Sequence, residues 1–561
     1  MPTQPWILKP ETAAESLRIL KAVNAELILP DGKACDLAAA LEGGDPCGHA
    51  EWSLKIHEVS FQLPEAGGEL EVTSTPLFTW IIWVNSTPFA ARVGTDVNDI
   101  GAVGDWGTLA VLGINGWHAA WASDSDEFRL QVNLGPLAKL GNLEVLDLSL
   151  WQNPPELSSL HRHAKLRCLS LCKCRNLSDL SGLAGLTALQ SLNLSYCSSL
   201  SDVSGLAGLT ALQSLNLSYC SSLSDVSGLA RLTALQSLDL RGCKSLSDLI
   251  GLAGLTALQS LDLNYCESLS DLSGLEGLTA LQSLKLSHCK SLNDLSGLAG
   301  LTALQSLDLS YCEYVSDLSG LAGLTALQSL DLEACESVND LMGLEGLTAL
   351  QWLNLHECTS LSDISGLEGL TALQSLDLSR CEYLSDLSGL AGLTGLHSLN
   401  LSYCNNLSDL CGLEGLTGLQ SLNLARWEFL SDLRVMAGLT ALQSLNLARC
   451  ESLSDLSGLA GLTALQSLDL NSCDSVSDLS GLAGLTALQS LDLNCCESLS
   501  DLSGLAGLTA LQTLYARDCN RVRTIETLRG CTDLRDLKVS IHPTILAELL
   551  AEIIKELMLL Q

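Results

Sequence analysis

The chain has 561 residues, and 29 Lys+Arg stand against 64 Asp+Glu, a formal charge of −35. A chain that acidic repels phosphate backbones instead of neutralising them, so nucleic acid is not expected as a partner. Hydrophobic residues make up 47% of the sequence but aromatics only 4%; the core is therefore expected to be aliphatic, here leucine, and such a bias points to internal repetition.

The N-terminal stretch follows different packing rules. Seven of the ten Trp and four of the five Phe lie within the first 134 residues, which sets residues 1–133 apart as a mixed, mainly β capping domain. The start, MPTQPWILKPETAAES, lacks the basic-then-apolar pattern of a secretory signal, and no 18-residue apolar run occurs. A cytoplasmic chain without a membrane partner is expected. Ala13 to Val23 reads as helical, while Trp52 to Leu63 and Leu70 to Val84 read as strands. Leu109, Leu112, Ile114 and Trp117 reproduce the spacing of Leu143, Leu146, Leu148 and Trp151 and are expected to form a divergent capping unit. The alternative for this region is an effector or oligomerisation domain, with Asp96, Asp99, Asp105 and His118 as its polar cluster; their spacing names no chemistry.

From Gly141 onward the sequence repeats with a period of 23, and Thr187, Thr210, Thr233 and their successors recur to Thr532 without insertion or deletion, giving 18 units. One unit reads LSDLSGLAGLTALQSLDLNSCDS, residues 453–475. Its L-x-x-L-x-L-x-x-C segment, for example Leu189, Leu192, Leu194 and Cys197, alternates apolar and polar like a half-buried strand. The D-L-S-G-L-x-G-L half is too short and Gly-rich for a full helix, so a tight turn or a single 3₁₀ turn is expected. No unit can bury its leucines alone; stacking in register closes a continuous core beneath a parallel sheet.

These residues resemble the leucine-rich repeat proteins, whose L-x-x-L-x-L-x-x-[NC]-x-L signature nearly every unit matches from Leu134 to about His542. The convex half D-L-S-G-L-A-G-L-T-A-L resembles the short, internalin-like bacterial class, with Cys where that class usually carries Asn. The resemblance implies an α/β solenoid: a horseshoe with the parallel β-sheet on its concave face and short turns or 3₁₀ segments on the convex face. Residues 134–542 form it, and the mainly β N-terminal region and a C-terminal helix over 543–561 cap it. That helix is expected from Ile545, Leu546, Leu549, Leu550, Ile553, Ile554 and Leu557, which recur at helical spacing after Pro543.

Of 22 Cys, 15 share one repeat position from Cys174 to Cys519, and Trp151, Trp427 and His542 take that slot in three other units. Parallel Cβ vectors disfavour a disulfide between neighbours about 5 Å apart, so buried, reduced thiols are expected. Cys168, Cys172 and Cys495 fall outside the ladder and are expected at the sheet surface. His161, His163, Cys168, Cys172 and Cys174 are not expected to hold zinc, because Cys168 and Cys172 lie four residues apart along one strand. Fifteen Asp, from Asp179 every 23rd residue to Asp501, are read as caps that accept backbone N–H groups at the start of a turn.

No G-x-S-x-G, G-x-x-x-x-G-K-[ST] or H-E-x-x-H motif occurs, so neither catalysis nor a cofactor is expected. A monomer that binds a protein partner on the concave sheet is. A uniform surface cannot select a partner's register, so the site is sought where units break the pattern. The sharpest break is Trp352 in place of Ser, followed by Asn354, His356 and Glu357. Lys285, His288, Asp331 and Glu333 precede it, Arg380, Arg426 and Arg449 follow, and Tyr265, Tyr311 and Tyr403 add an aromatic stripe.

Overall fold

The computed structural model describes residues 139–151, 156–523 and 525–539, together with Leu109, Leu112, Leu137 and the backbone of nine strands between Ile7 and Ile114. The chain divides into two units, Met1–Ser268 with Ser273–Leu281, and Leu269–Leu272 with Gln282–Gln561. In the first unit, Glu69–Thr73, Phe78–Val84 and Thr87–Val93 form an antiparallel set. Thr87–Val93 pairs in parallel with Val111–Ile114, which pairs in parallel with Val145–Asp147. Leu112 stands opposite Leu146, and Leu109 and Leu112 are buried, so this segment is a rung continuous with the repeats. The strands expected at Trp52–Leu63 and Leu70–Val84 each break into two antiparallel strands; Ser53–Ile56 and Val59–Gln62 belong to a second sheet with Glu26–Ile28 and Ala34–Asp36. The helices expected at Ala13–Val23 and over 543–561 lie outside the described residues.

The repeats themselves are uniform. From Val145–Asp147 to Ser260–Asp262 in the first unit, each three-residue strand pairs in parallel and in register with the next. In the second unit the same holds from Ser283–Lys285 to Asp536–Val539. Leu453, Leu456, Leu459, Leu462, Leu465, Leu468, Leu470 and Cys473 show how one unit is buried: none is more than 2% exposed. Each such leucine contributes about 1.5–3 kcal/mol relative to exposure, and only because neighbouring units cover it.

On the convex side, leucines three residues apart set the backbone. The N–H groups of Leu183, Leu186 and Leu189 donate to the carbonyls of Leu180, Leu183 and Leu186 at 2.9, 2.9 and 3.0 Å. This is the 3₁₀ period, which brings every third side chain onto one face. The Gly of S-G-L answers to close stacking: a Cβ on Gly366 would lie 2.2 Å from the Leu341 carbonyl oxygen of the preceding unit. The convex Asp column caps these turns, with Asp179, Asp317, Asp363 and Asp455 each accepting the N–H two residues on at 2.8 Å. That backbone bond chiefly holds the carboxyls of Asp179, Asp317 and Asp363 below the usual range.

A second Asx column lies on the sheet side. The third strand residue, whose alternation marks it as a polar surface position, turns its carbonyl or carboxylate oxygen back onto the chain. Asn193, Asp308 and Asp469 accept the N–H groups of Ser195, Ser310 and Asn471 at 2.9, 3.0 and 2.9 Å. The turn that follows takes a left-handed backbone: Tyr196, Tyr311, Arg449 and Ser472 have φ between 58° and 63°. A non-glycine residue there costs of order 1–3 kcal/mol, and its N–H is held by the next rung, Tyr196 to the Ser218 carbonyl at 2.7 Å.

The cysteine ladder is a row of donors. Nearly every ladder thiol reaches the carbonyl 26 residues earlier: Cys197 to Leu171 at 3.3 Å, Cys335 to Leu309 at 3.2 Å, Cys358 to Leu332 at 3.1 Å. Trp427 fills the slot with an equivalent donor, its indole Nε1 lying 2.6 Å from the Leu401 carbonyl. The slot holds a buried S–H or N–H donor in both cases, which explains why Cys and Trp interchange there. A thiol so engaged cannot donate once it is in a disulfide. Of the off-ladder cysteines, Cys168 and Cys495 are half-buried, but Cys172 is buried, contrary to expectation, because the Ser195 hydroxyl of the next rung donates to its sulfur at 3.1 Å. Cys411, on a convex turn, is the exposed one among the described residues.

Two outcomes follow from the ladder. Trp427→Phe keeps most of the volume and removes the donor to Leu401, and we expect a loss of about 1–3 kcal/mol in urea unfolding; an unchanged midpoint would show that the bond is not needed. Burial raises the ladder thiols, to about 12 for Cys220, Cys404 and Cys450, from 9.0. A group held protonated in the fold stabilises it fully below pH 9 and loses that contribution as pH rises toward 12. The melting temperature should therefore hold to about pH 8.5 and fall steeply above about pH 9, at most ~1.4 kcal/mol per thiol per pH unit; a flat profile from about pH 9 to 11 would contradict it.

Candidate functional site

Along each strand the two leucines point into the core, so the first, third and fifth residues of the strand and its extension share the open face. Trp352 is the first residue of Trp352–Asn354, between Ser329 and Ser375 of the neighbouring rungs. Serine side chains cannot cover an indole, and Trp352 stays 38% exposed.

Beside it the structure gathers most of the neighbouring candidates into one network. Asp331 stands opposite Asn354 and accepts both the Glu333 N–H and the Asn354 amide at 3.0 Å. Asn354 in turn accepts the His356 N–H at 3.0 Å, and His356 Nδ1 lies 2.7 Å from the Ser379 hydroxyl. Asp331 and Asn354 are thus partly committed to holding their own turns. Burial raises the Asp331 carboxyl to about 6 despite the Glu333 N–H. Lys285 shares the column of Asp331, facing Asp308, and is exposed.

The remaining candidates lie in the left-handed turn just past the strand. Along the second unit this row runs His288, Tyr311, Ala334, Glu357, Arg380, Tyr403, Arg426 and Arg449. His288 and Tyr311 stack at 4.4 Å, and the Tyr311 hydroxyl donates to Glu333 at 2.7 Å. Arg380 lies 3.8 Å from Glu357. Tyr403 is sandwiched between the guanidinium groups of Arg380 and Arg426, 4.8 and 4.9 Å from its ring centre. Tyr265 belongs to the first unit and is 41% exposed; there Tyr196 and Tyr219 stack at 4.6 Å.

Three aromatics escape the sequence reading. Tyr314, Tyr383 and Phe429 stand two residues past the ladder position, where most units carry Ser, and at 63–68% they are more exposed than Trp352. Their signal is the same one that marks Trp352, an aromatic in a serine column.

The Ser379–His356 contact has the atoms of a nucleophile and base, but Ser379 is 3% exposed and its hydroxyl donates to Asp377. A substrate carbonyl could not reach it, so the pair ties rungs together. Among the described residues no three His, Cys, Asp or Glu are placed to hold a metal ion, the His161–Cys174 stretch included.

The family model described as "Leucine Rich repeats (2 copies)" matches residues 348–392, 440–484 and 463–507, and that described as "BspA type Leucine rich repeat region (6 copies)" matches 165–293. A leucine-rich repeat protein from Leptospira interrogans is 20% identical over 80% of this chain and 99% of its own, with a TM-score of 0.53. An internalin from Listeria monocytogenes is 27% identical over 60% of this chain and 86% of its own, at a TM-score of 0.41. Internalin C2 from the same organism is 32% identical over 31% of this chain and 74% of its own, at 0.26. No curated protein matches the chain significantly. The matching families are repeat folds used for protein interaction, and no catalytic family is indicated. With its parallel strands paired in register within each unit and its 3₁₀ convex turns, the chain belongs to the leucine-rich repeat proteins.

Proposed function

We propose that the chain binds a protein partner on the concave sheet of its second unit, in a contact centred on Trp352. The supporting observation is the 38% exposed indole in a column of serines, flanked by the hydrogen-bonded Asp331, Glu333, Asn354 and His356. A large aromatic held on a rigid sheet beside fixed polar groups loses little conformational freedom on binding, which is the composition of an interaction hot spot. The polar network supplies directional contacts around it. The chain's acidity disfavours a nucleic-acid partner, and among the described residues no helix is long and apolar enough to cross a membrane.

The test is capture of the partner by the intact chain, identification by mass spectrometry, and affinity measurement with variants. Trp352→Ser restores the repeat consensus and leaves the leucine core untouched; it should weaken binding at least tenfold, about 1.4 kcal/mol. Tyr314→Ser, outside the sheet face, should change little. Unchanged affinity in a folded Trp352→Ser variant, with a loss for Tyr314→Ser, would move the site to the turn beyond the ladder.

A further inference from the structure

Three consecutive rungs of the second unit depart from the acidity of the chain. Ser398–Asn400, Ser421–Asn423 and Ser444–Asn446 carry Asn at the third strand position, where Asp377 precedes them and Asp469 follows. Two residues on stand Ser402, Ala425 and Ala448, and in the turn beyond Tyr403, Arg426 and Arg449. No carboxylate occupies the outward strand positions or the left-handed turn of these rungs, although the whole chain has a net charge of −35; Glu428 and Glu451 are exposed beyond the ladder position, two residues past Arg426 and Arg449.

The change from Asp to Asn also reverses hydrogen-bonding polarity. The Asn423 and Asn446 Oδ1 atoms accept the Ala425 and Ala448 N–H groups at 3.1 and 2.9 Å. Their Nδ2 groups are thereby left as outward donors, and among the described residues neither has a partner. An Asp in the same turn would offer an acceptor instead. The Arg449 side chain likewise makes no ion pair or hydrogen bond among the described residues, and it is exposed. Arg380 and Arg426 are held apart by the Tyr403 ring between them.

From these donors we infer that the partner presents a short acidic peptide segment to the window between Asp377 and Asp469. Arg426 and Arg449 stand on adjacent rungs, roughly 5 Å apart, close enough for one carboxylate to meet both, whereas Arg380 is three rungs from Arg449, roughly 14 Å, and needs a second carboxylate. In an extended peptide, alternate side chains fall about 7 Å apart, so carboxylates roughly two to four residues apart can reach the Arg426–Arg449 pair and Arg380. The acidic rungs at either end limit the segment: a long polyanion would run onto Asp377 and Asp469, whereas a short acidic stretch fits between them. This inference rests on the reading of the sheet as a partner-binding face.

The test titrates the intact chain at low salt into a fluorescently labelled short peptide of alternating Glu and Ser, beside its Lys–Ser and Gln–Ser counterparts and an oligothymidine. The Glu–Ser peptide should bind most tightly despite the charge of the chain, and Arg426→Ser/Arg449→Ser should weaken it at least tenfold. Serine is native to this turn position at Ser472, with φ 58°, so the double variant keeps the fold. Tighter binding of the Lys–Ser peptide, equal binding of oligothymidine, or indifference to the arginine pair would each overturn the inference. The two readings separate cleanly. If Trp352→Ser weakens partner capture but the arginine pair leaves the peptide unaffected, the binding face stands and the acidic assignment falls. If the arginine pair controls the peptide while Trp352→Ser is silent, the acidic window stands and the Trp352 centre falls.

Discussion

Every rung must receive a donor from the next. The carbonyl that closes each strand's leucine pair faces the interior, and a side chain 26 residues later reaches back to it, as Cys358 does to Leu332 and Trp427 does to Leu401. In most rungs the same carbonyl also takes an N–H from its own turn, as Leu194 does from Cys197 at 3.3 Å. At Leu401 the indole is the donor. This requirement couples each unit to its neighbour at a fixed distance, and from it follow the invariant period, the close convex stacking that admits only Gly at positions such as Gly366, and burial of leucines that no single unit could cover.

Much of this was legible in the sequence because it repeats. Leucine spacing revealed strand and 3₁₀ turn, and the convex Asp column was recognisable as capping from its place before a short turn. What stayed hidden depended on contacts between particular atoms. The third strand residue alternates like a surface position, and nothing in alternation shows that Asn193 or Asp308 spends an oxygen on the N–H two residues later. Cys172 sits on the outward parity yet is covered by Ser195 of the following rung. The left-handed turn was invisible too, because residues as unlike as Tyr311, Glu357 and Arg449 occupy it; what they share is a backbone held by the neighbour, not a propensity.

The candidate site was readable in part for the same reason. A repeat makes its own background, so Trp352 stands out against serines, but that Asp331, Glu333, Asn354 and His356 join in one hydrogen-bonded network is a finding of the structure alone. The turn row of arginines and tyrosines is a separate column, and the ring of Tyr403 decides how its charges are spaced. Tyr314, Tyr383 and Phe429 show the limit of reading only one face: the turn beyond the ladder carries departures of its own. Departures that leave the donor ladder and leucine core intact are those such a solenoid can carry without losing its fold.

The most direct measurement is amide hydrogen exchange across the intact chain, with and without the captured partner. Binding at the sheet face should slow exchange in the strands from Trp352–Asn354 to Ser444–Asn446 and their left-handed turns, and leave the convex 3₁₀ turns of the same units unchanged. Protection confined to the convex turns, or to rungs outside that span, would contradict the account.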